Sequence, residues 1–267
     1  MAESAVAARP HDPAAVPGPA HRVERIMGTV FVFDVRGTGV RPDAVDEAIG
    51  LLHDIDARFS PYRPDSEVSR LIRGELEEAD CADDLRAILG LCEDLRRTSD
   101  GAFDIRGHRS DGRPDPTGLV KGWATEEAAL VLERAGATDF AINAGGDIVA
   151  RGEREPGRAW RVGIRHPRIA DRLAAVLEVG DLAVATSGAY ERGEHIVDPR
   201  TGRAAAGLLS VTVTGPSPTY VDAYATTAFV LGLDGPAWVA RHAGYGAYAI
   251  TTDERAIWTP AIDRLLA

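Results

Sequence analysis

Residues 219–229 read TYVDAYATTAF and follow the β-rich run LLSVTVTG at 208–215. Pro218 and Thr219 are typical of a helix N-terminus, and apolar side chains then recur at the three- and four-residue spacing of one helical face. The pattern therefore predicts a strand that leads directly into a buried helix.

An acid and a hydroxyl, Asp222 and Thr226, lie four residues apart within this predicted helix. Four residues advance a helix by slightly more than one turn, so both oxygens project from one face. Such a pair can bind a hard cation such as Mg²⁺, which prefers oxygen ligands. The residues alone leave an alternative open, in which Asp222 is an acid favoured by the helix dipole and Thr226 bonds back to a helix carbonyl.

The composition restricts the partners of the chain. Its 267 residues carry a formal net charge of −11, with 41 acidic and 30 basic side chains. A general nucleic-acid or anionic-membrane binder needs a basic face, so neither is expected, and no apolar run is long enough to insert into a membrane. A phosphate-bearing ligand would need local positive charge from a metal, a lysine or backbone N–H groups.

The first 22 residues are rich in Ala and Pro and contain no continuous apolar segment. This composition predicts a disordered tail over 1–22 rather than a signal peptide, and a folded domain over 23–267. A cytoplasmic location is the expectation that follows. The two cysteines, Cys81 and Cys92, are too few for a disulfide framework and are expected to be reduced.

Hydrophobic periodicity predicts the elements of this domain. A strand with a glycine irregularity is predicted at 23–36, and a short helical turn capped by Ser66 follows the first helix. Helices are predicted at 42–59, 82–98, 119–136 and 236–243, besides the one that begins at 219; strands or β-rich segments are predicted at 138–143, 146–152, 159–167, 172–188, 207–215 and 245–251. The order favours a single α+β domain with mixed or antiparallel sheets flanked by helices.

Three loops join polar or glycine residues to these elements. DPTGLVKGWA at 115–124 feeds a helix N-terminus that could accept an anion, with Lys121 adding positive charge; otherwise it is an ordinary turn with a solvated lysine. NAGGD at 143–147 is typical of a tight hairpin, whose glycines would also let a ligand approach the backbone. His195 lies three residues before the start of the turn sequence at 198–202, and it is either a general acid or base or a structural side chain.

In their shared order, these segments resemble the ApbE family of flavin transferases. The motifs that carry the resemblance are MGT at 27–29, FSPYRPDSEVSRL at 59–71, GAFD at 101–104, DPTGLVKGWA at 115–124, NAGGDI at 143–148, WRVGI at 160–164, TSGAYER at 186–192, HIVDPRTG at 195–202, and SVTV followed by VDAYATTAFVLG within 210–232. Each motif is short, but together they cover residues 27–232.

The resemblance implies an enzyme that binds FAD with Mg²⁺, cleaves the pyrophosphate, transfers FMN to a threonine of an acceptor protein and releases AMP. It implies metal ligation by Asp222, Thr226 and the carbonyl of Gly118, and a catalytic role for His195 and Asp222. The positions that align with FAD contacts are Met27, Tyr62, Ala102, Phe103, Asp104, Asp115, Lys121 and Ile196. The alternatives are a FAD pyrophosphatase that yields free FMN and a flavin-binding module without turnover.

Overall fold

The computed structural model describes residues 20–37, 39–107, 111–188 and 196–267, and these form an α+β domain built on a long antiparallel sheet. Eight strands pair in the order β1-β2-β3-β4-β7-β10-β11-β12, and every pairing among the described strands is antiparallel. The strands of this sheet are β1 (Ala20–Ile26), β2 (Thr29–Val35), β3 (Phe140–Ala144), β4 (Asp147–Arg151), β7 (Leu182–Gly188), β10 (Leu208–Gly215), β11 (Gly246–Thr251) and β12 (Ala256–Trp258).

Within the described residues, two short ribbons accompany the sheet. One consists of β5 (Trp160–Arg165) and β6 (Leu173–Val179), and the other of β8 (Val197–Asp198) and β9 (Arg203–Ala204). The β-rich segment predicted at 172–188 therefore divides into β6 and β7, which belong to different sheets. The division falls at Gly180 and Asp181, between the two strands.

The α-helices of the described residues occupy the predicted regions, except for the last one, at 260–263, which the sequence pattern did not predict. They are α1 (Ala44–Phe59), α2 (Glu67–Arg73), α3 (Asp83–Thr98), α4 (Thr117–Arg134), α5 (Pro218–Leu231), α6 (Gly235–Val239) and α7 (Pro260–Asp263). The Ser66 side chain accepts a hydrogen bond from the Ser69 N–H, which confirms the predicted cap of the short helix. The helix predicted at 236–243 is shorter than expected, since α6 ends at Val239.

The prediction of one strand over 23–36 is wrong. The chain turns at Met27 and Gly28, both with positive φ (54° and 71°), so the segment is the β1–β2 hairpin. Two positive φ values in a two-residue loop match the turn that suits the twist of paired strands. β1 also begins at Ala20, inside the segment predicted as a tail, whereas residues 1–19 lie outside the described part of the chain.

Both faces of the long sheet are covered, and strand alternation divides the core in two. Val211 and Val213 of β10 belong to the larger cluster, which lies on the helical side with α1, α4 and α5. Tyr248 and Ile250 of β11 belong to a second cluster, with side chains of β5 and β6 and with Ile262 of α7. The predicted α+β class is thus confirmed, and no described helix combines the length and hydropathy needed to cross a membrane.

Candidate active site

Helix α5 carries Asp222 and Thr226 on the side that faces β7 and α4. Asp222 is 9% exposed, and Thr226 is half-buried. The Thr226 hydroxyl lies 3.3 Å from Ser187 Oγ of β7, so the two hydroxyls share a hydrogen bond. The back-bonding proposed as an alternative for Thr226 is instead made by its neighbour, because Thr227 Oγ1 donates to the carbonyl of Ala223 at 2.7 Å.

Lys121 of α4 contacts two buried carboxylates. Its ammonium makes a close ion pair with Asp147 Oδ2, and Asp222 Oδ2 lies 3.7 Å from the same nitrogen. The lysine side chain is only 36% exposed. Lys121 is therefore an internal counter-ion, which corrects the alternative of a solvated surface lysine.

The charges of this cluster do not balance. Asp147 and Asp222 bring two carboxylates to one ammonium in a largely buried place. Burial raises the pKa of Asp222 to about 7; the Lys121 ammonium opposes that rise and the Asp147 carboxylate adds to it. Besides the ammonium, no donor among the described residues hydrogen-bonds the buried Asp147 Oδ2. A further positive charge would stabilise the ionised form of both acids.

The two helices that carry these groups meet closely at Gly122. A Cβ atom at Gly122 would lie 2.7 Å from the carbonyl oxygen of Pro218 and 3.1 Å from Asp222 Cβ. In an α-helix the carbonyl of residue i points toward residue i+4, so the Gly118 carbonyl points toward the turn of α4 that touches Asp222. Gly118 itself is exposed.

The start of α4 is fixed by Asp115. Its Oδ1 accepts hydrogen bonds from the Thr117 backbone N–H at 3.1 Å and from the Thr117 hydroxyl at 2.6 Å. The Asp115 N–H donates to the carbonyl of Ile105 at 2.8 Å, which ties this loop to the segment 101–107. Asp115 is therefore a helix-start residue as well as a predicted ligand contact.

The GAFD motif lies in turns and bends between α3 and α4. Ala102 and Phe103 are buried, with exposures of 1% and 5%, and the Phe103 N–H donates to Ser99 Oγ at 3.0 Å. Asp104 is half-buried and accepts from the Arg106 N–H at 2.8 Å. Ala102 and Phe103 are therefore part of the packed interior. Asp104 is the residue of this motif segment whose polar side chain remains partly accessible to solvent.

An open groove of about 870 Å³ lies at the β1–β2 turn. Met27 and the 89%-exposed Tyr62 line it, together with Gly145 of the β3–β4 turn. Gly145 has a φ of 63° and packs against Thr29, where a Cβ would collide with the threonine hydroxyl. Two residues further along, the same turn delivers Asp147 to Lys121, so one hairpin borders the groove and supplies the carboxylate.

The structure thus brings Asp222, Thr226 and Lys121 together. Gly118 lies one helical turn before Gly122, where α4 contacts α5. Met27 and Tyr62 share the groove. Ile196 is half-buried, packs against the larger core and accepts a hydrogen bond from the Ala205 N–H at 3.0 Å. His195 lies outside the described residues.

Asp147 is the site residue that sequence reasoning missed. The motif NAGGD predicted the β3–β4 hairpin correctly, and Gly145 and Gly146 have positive φ values of 63° and 108°. The available signal was an acid placed directly after the turn, at the first residue of a strand. Its contact with Lys121 joins two segments 26 residues apart, which no local pattern reveals.

The donor set suits a hard cation. The Asp222 carboxylate and the Thr226 hydroxyl are oxygen ligands of the kind that Mg²⁺ takes, with substrate phosphates or water for the rest. Among the described ranges no group of three or more His, Cys, Asp or Glu side chains is placed to hold a metal ion. The cluster fits a magnesium site completed by a substrate better than a closed structural metal site.

The sequence model of the ApbE family matches residues 27–111 and 107–249 of the chain. A FAD:protein FMN transferase of Escherichia coli K12 is 32% identical over 149 residues, which are 52% of this chain and 42% of the relative. The matched stretch thus spans less than half of that relative. The FAD:protein FMN transferase of Haemophilus influenzae is 24% identical over 292 residues, covering 85% of this chain and 84% of the relative.

Solved structures resemble the fold over nearly the whole chain. The flavin transferase ApbE from Vibrio cholerae superimposes with a TM-score of 0.81 at 22% identity, covering 93% of this chain and 99% of the other. The ApbE protein of Thermotoga maritima gives a TM-score of 0.81 at 21% identity with the same coverage. At these identities the structural likeness is evidence for the fold alone.

Proposed function

Since this chain belongs to the ApbE family, we propose that it is a Mg²⁺-dependent FAD:protein FMN transferase. The observation that carries the proposal is the buried cluster of Asp147, Lys121 and Asp222, where two carboxylates face one ammonium. An acidic protein that takes up a pyrophosphate needs concentrated positive charge at one place. This cluster can supply an ammonium and hold a cation.

Asp222, Thr226 and the Gly118 carbonyl are the proposed metal ligands. The carboxylate and hydroxyl lie one turn apart on α5, and the start of α4 packs against that turn through Gly122. Bound Mg²⁺ supplies charge neutralisation for the pyrophosphate and for the charge that develops on the departing AMP. Lys121 adds a second positive charge from α4.

The FAD substrate is proposed to lie between the groove and this cluster. Met27 and Tyr62 offer apolar and aromatic contact surface in the groove, which Gly145 borders. Asp104, Asp115 and Ile196 are proposed as further contacts, whereas the buried Ala102 and Phe103 would act through the backbone and the shape of their turn. Binding in one geometry converts the transfer into a positioned reaction, which is the main requirement of phosphoryl chemistry.

In the proposed reaction, the hydroxyl oxygen of an acceptor threonine forms a bond to the phosphorus of the FMN half. The bond between that phosphorus and the bridging oxygen breaks, and AMP leaves with the bridging oxygen. His195 is proposed to take the proton of the threonine hydroxyl. Water in place of threonine would give free FMN and AMP, which is the pyrophosphatase reaction.

The test combines the protein with FAD, Mg²⁺ and an acceptor protein that carries a threonine flavinylation motif. We expect FMN to become covalently attached to the acceptor while AMP accumulates in equal amount, as measured by chromatography and intact-protein mass spectrometry. Free FMN would instead indicate hydrolysis, and intact FAD would contradict both activities.

Asp222→Asn is the first variant to examine in this assay. Loss of the metal-binding carboxylate should lower Mg²⁺-dependent AMP release by about 10²-fold or more, the range seen when a main electrostatic stabiliser is removed. Asp234→Asn is the matched control, because Asp234 is exposed just after α5 and carries the same charge. Full activity of Asp222→Asn would remove the metal proposal.

A further inference from the structure

Helix α5 receives its N-terminal cap partly from another helix. Glu126 lies on α4, and its Oε2 accepts hydrogen bonds from Ser217 Oγ at 2.8 Å and from the Thr219 backbone N–H at 3.3 Å. The Thr219 hydroxyl donates to the same oxygen in a closer contact. Thr219 is 3% exposed, so these bonds are largely shielded from water.

We propose that Glu126 is a positioning residue for the metal site, holding α5 in register against α4 through its first turn. The proposal rests on the proposed function, because the groups being positioned are Asp222 and Thr226. Thr219 is the second residue of α5, and Asp222 is the fifth. Less than one helical turn therefore separates the anchored residue from the carboxylate.

The placement suits the charge of the side chain. A helix N-terminus carries unpaired N–H groups and the positive end of the helix dipole, and a carboxylate there is stabilising. Three donors on one carboxylate oxygen also fix its position more tightly than one would. The Ser217 side chain accepts from Tyr220 N–H, so Glu126 and Ser217 together satisfy the first turn.

The contact is close to the crossing point of the two helices. Gly122, one turn before Glu126 on α4, is the residue that packs directly on Pro218 and Asp222. Lys121, next to Gly122, contacts Asp222 Oδ2 at 3.7 Å. Glu126 and Gly122 therefore fix α4 to α5 at two successive turns of the same face, and the metal ligands lie on both helices at that junction.

The next residue along α4 provides a natural comparison. Glu127 is half-buried like Glu126 and has the same charge, but no hydrogen bond or ion pair joins its side chain to another described residue. Replacing either glutamate changes the net charge equally. Only replacement of Glu126 removes the hydrogen bonds from α4 to the first turn of α5.

The experiment compares Glu126→Ala and Glu126→Gln with Glu127→Ala in the full chain. Mn²⁺ binding to the FAD-free protein is measured by electron paramagnetic resonance, and the Mg²⁺ dependence of AMP release is measured at saturating FAD. We expect Glu126→Ala to weaken Mn²⁺ binding and raise the half-saturating Mg²⁺ concentration by about tenfold, the effect of losing a residue that orients a metal ligand. Glu126→Gln should recover part of the loss because it keeps an acceptor oxygen.

Stability must be separated from positioning. Ile262→Val trims a buried side chain of the second core, on the other side of the sheet from α5, and should lower the melting temperature. We expect it and Glu127→Ala to leave both metal readouts unchanged. If Glu126→Ala lowers the melting temperature but binds Mn²⁺ as the unsubstituted protein does, the positioning role is overturned. If the unsubstituted protein neither binds Mn²⁺ nor releases AMP, the proposed function itself is wrong, and the positioning role of Glu126 is wrong with it.

Discussion

At the scale of single residues, Asp147 has the most consequences for the proposed chemistry. It holds Lys121 in an ion pair and contributes to the raised pKa of Asp222. Without the Asp147 charge, the ammonium would pair with Asp222 alone and compete with a bound cation for that carboxylate. Asp147 thus keeps Lys121 shared between two carboxylates, so that Asp222 remains available to a cation.

Asp147→Asn should therefore weaken binding of the proposed metal while preserving the fold, since asparagine has nearly the same shape. We expect the half-saturating Mg²⁺ concentration for AMP release to rise by about tenfold, as for other groups that tune a metal ligand. Magnesium titrations at saturating FAD measure the change. Asp171→Asn is the control, because Asp171 is exposed in a turn with a positive φ that asparagine tolerates. An unchanged magnesium dependence would mean that Asp147 has a structural role in the β3–β4 hairpin and no role at the metal site.

The sequence predicted some of these residues for a physical reason. Asp222 and Thr226 share a helical face because of their spacing, and the structure places both beside α4 and β7 as a single surface. Lys121 was predicted from the helix start that it follows. Asp147 was not predicted as a site residue, because its importance depends on a contact between α4 and the β3–β4 hairpin. Local spacing contains no information about such a contact.

At the scale of elements, the crossing of α4 and α5 depends on the absence of a side chain at Gly122. Gly122→Ala gains up to about 1 kcal/mol of helix propensity, but the new Cβ would overlap the backbone of α5, and overpacking costs about 1–3 kcal/mol. The Pro218 carbonyl, 2.7 Å from that Cβ, is backbone and cannot rotate away. We expect the free energy of unfolding in urea to fall, and AMP release to fall with it as Asp222 is displaced.

Gly90→Ala is the matched control for this substitution. Gly90 is an exposed glycine within α3, and a Cβ there would meet no atom within 4 Å. The same exchange should stabilise the protein by about 0.5–1 kcal/mol and leave activity unchanged. If Gly122→Ala and Gly90→Ala changed the free energy of unfolding and AMP release equally, the α4–α5 contact would be loose enough to accommodate a methyl group.

The sequence predicted elements well where one apolar stripe marked one helix. α1 and α3 match the predictions within two residues because their inward side chains recur regularly. The β1–β2 hairpin was missed because alternation continues on both sides of Met27 and Gly28, so a turn of only two residues reads as an irregularity. The division of 172–188 was missed for the same reason, since β6 and β7 are both apolar and nearly contiguous.

At the scale of the whole molecule, the order of the long sheet could not be predicted. The pairings of β2 with β3 and of β4 with β7 join segments separated by helices or by another ribbon. Side-chain alternation indicates which face of a strand is buried but not which strand lies beside it. The resulting sheet separates a helical core, which supports the proposed site, from a second core beneath the β5–β6 ribbon.

This separation predicts that stability and magnesium dependence can be changed independently. Ile262 of α7 is fully buried in the second core, on the opposite side of the sheet from α5. Ile262→Ala should lower the free energy of unfolding by about 2–5 kcal/mol through lost burial and the cavity that remains, and Ile262→Val by about 0.5–1.5 kcal/mol. Because neither change reaches α4 or α5, the half-saturating Mg²⁺ concentration should match that of the unsubstituted protein when assayed well below the melting transition.

Urea unfolding and magnesium titration of the same preparations give the two quantities, and Gly122→Ala is the contrasting variant in which both should change. A shift in magnesium dependence for Ile262→Val, despite its small loss of stability, would mean that the sheet transmits strain from the second core to the site.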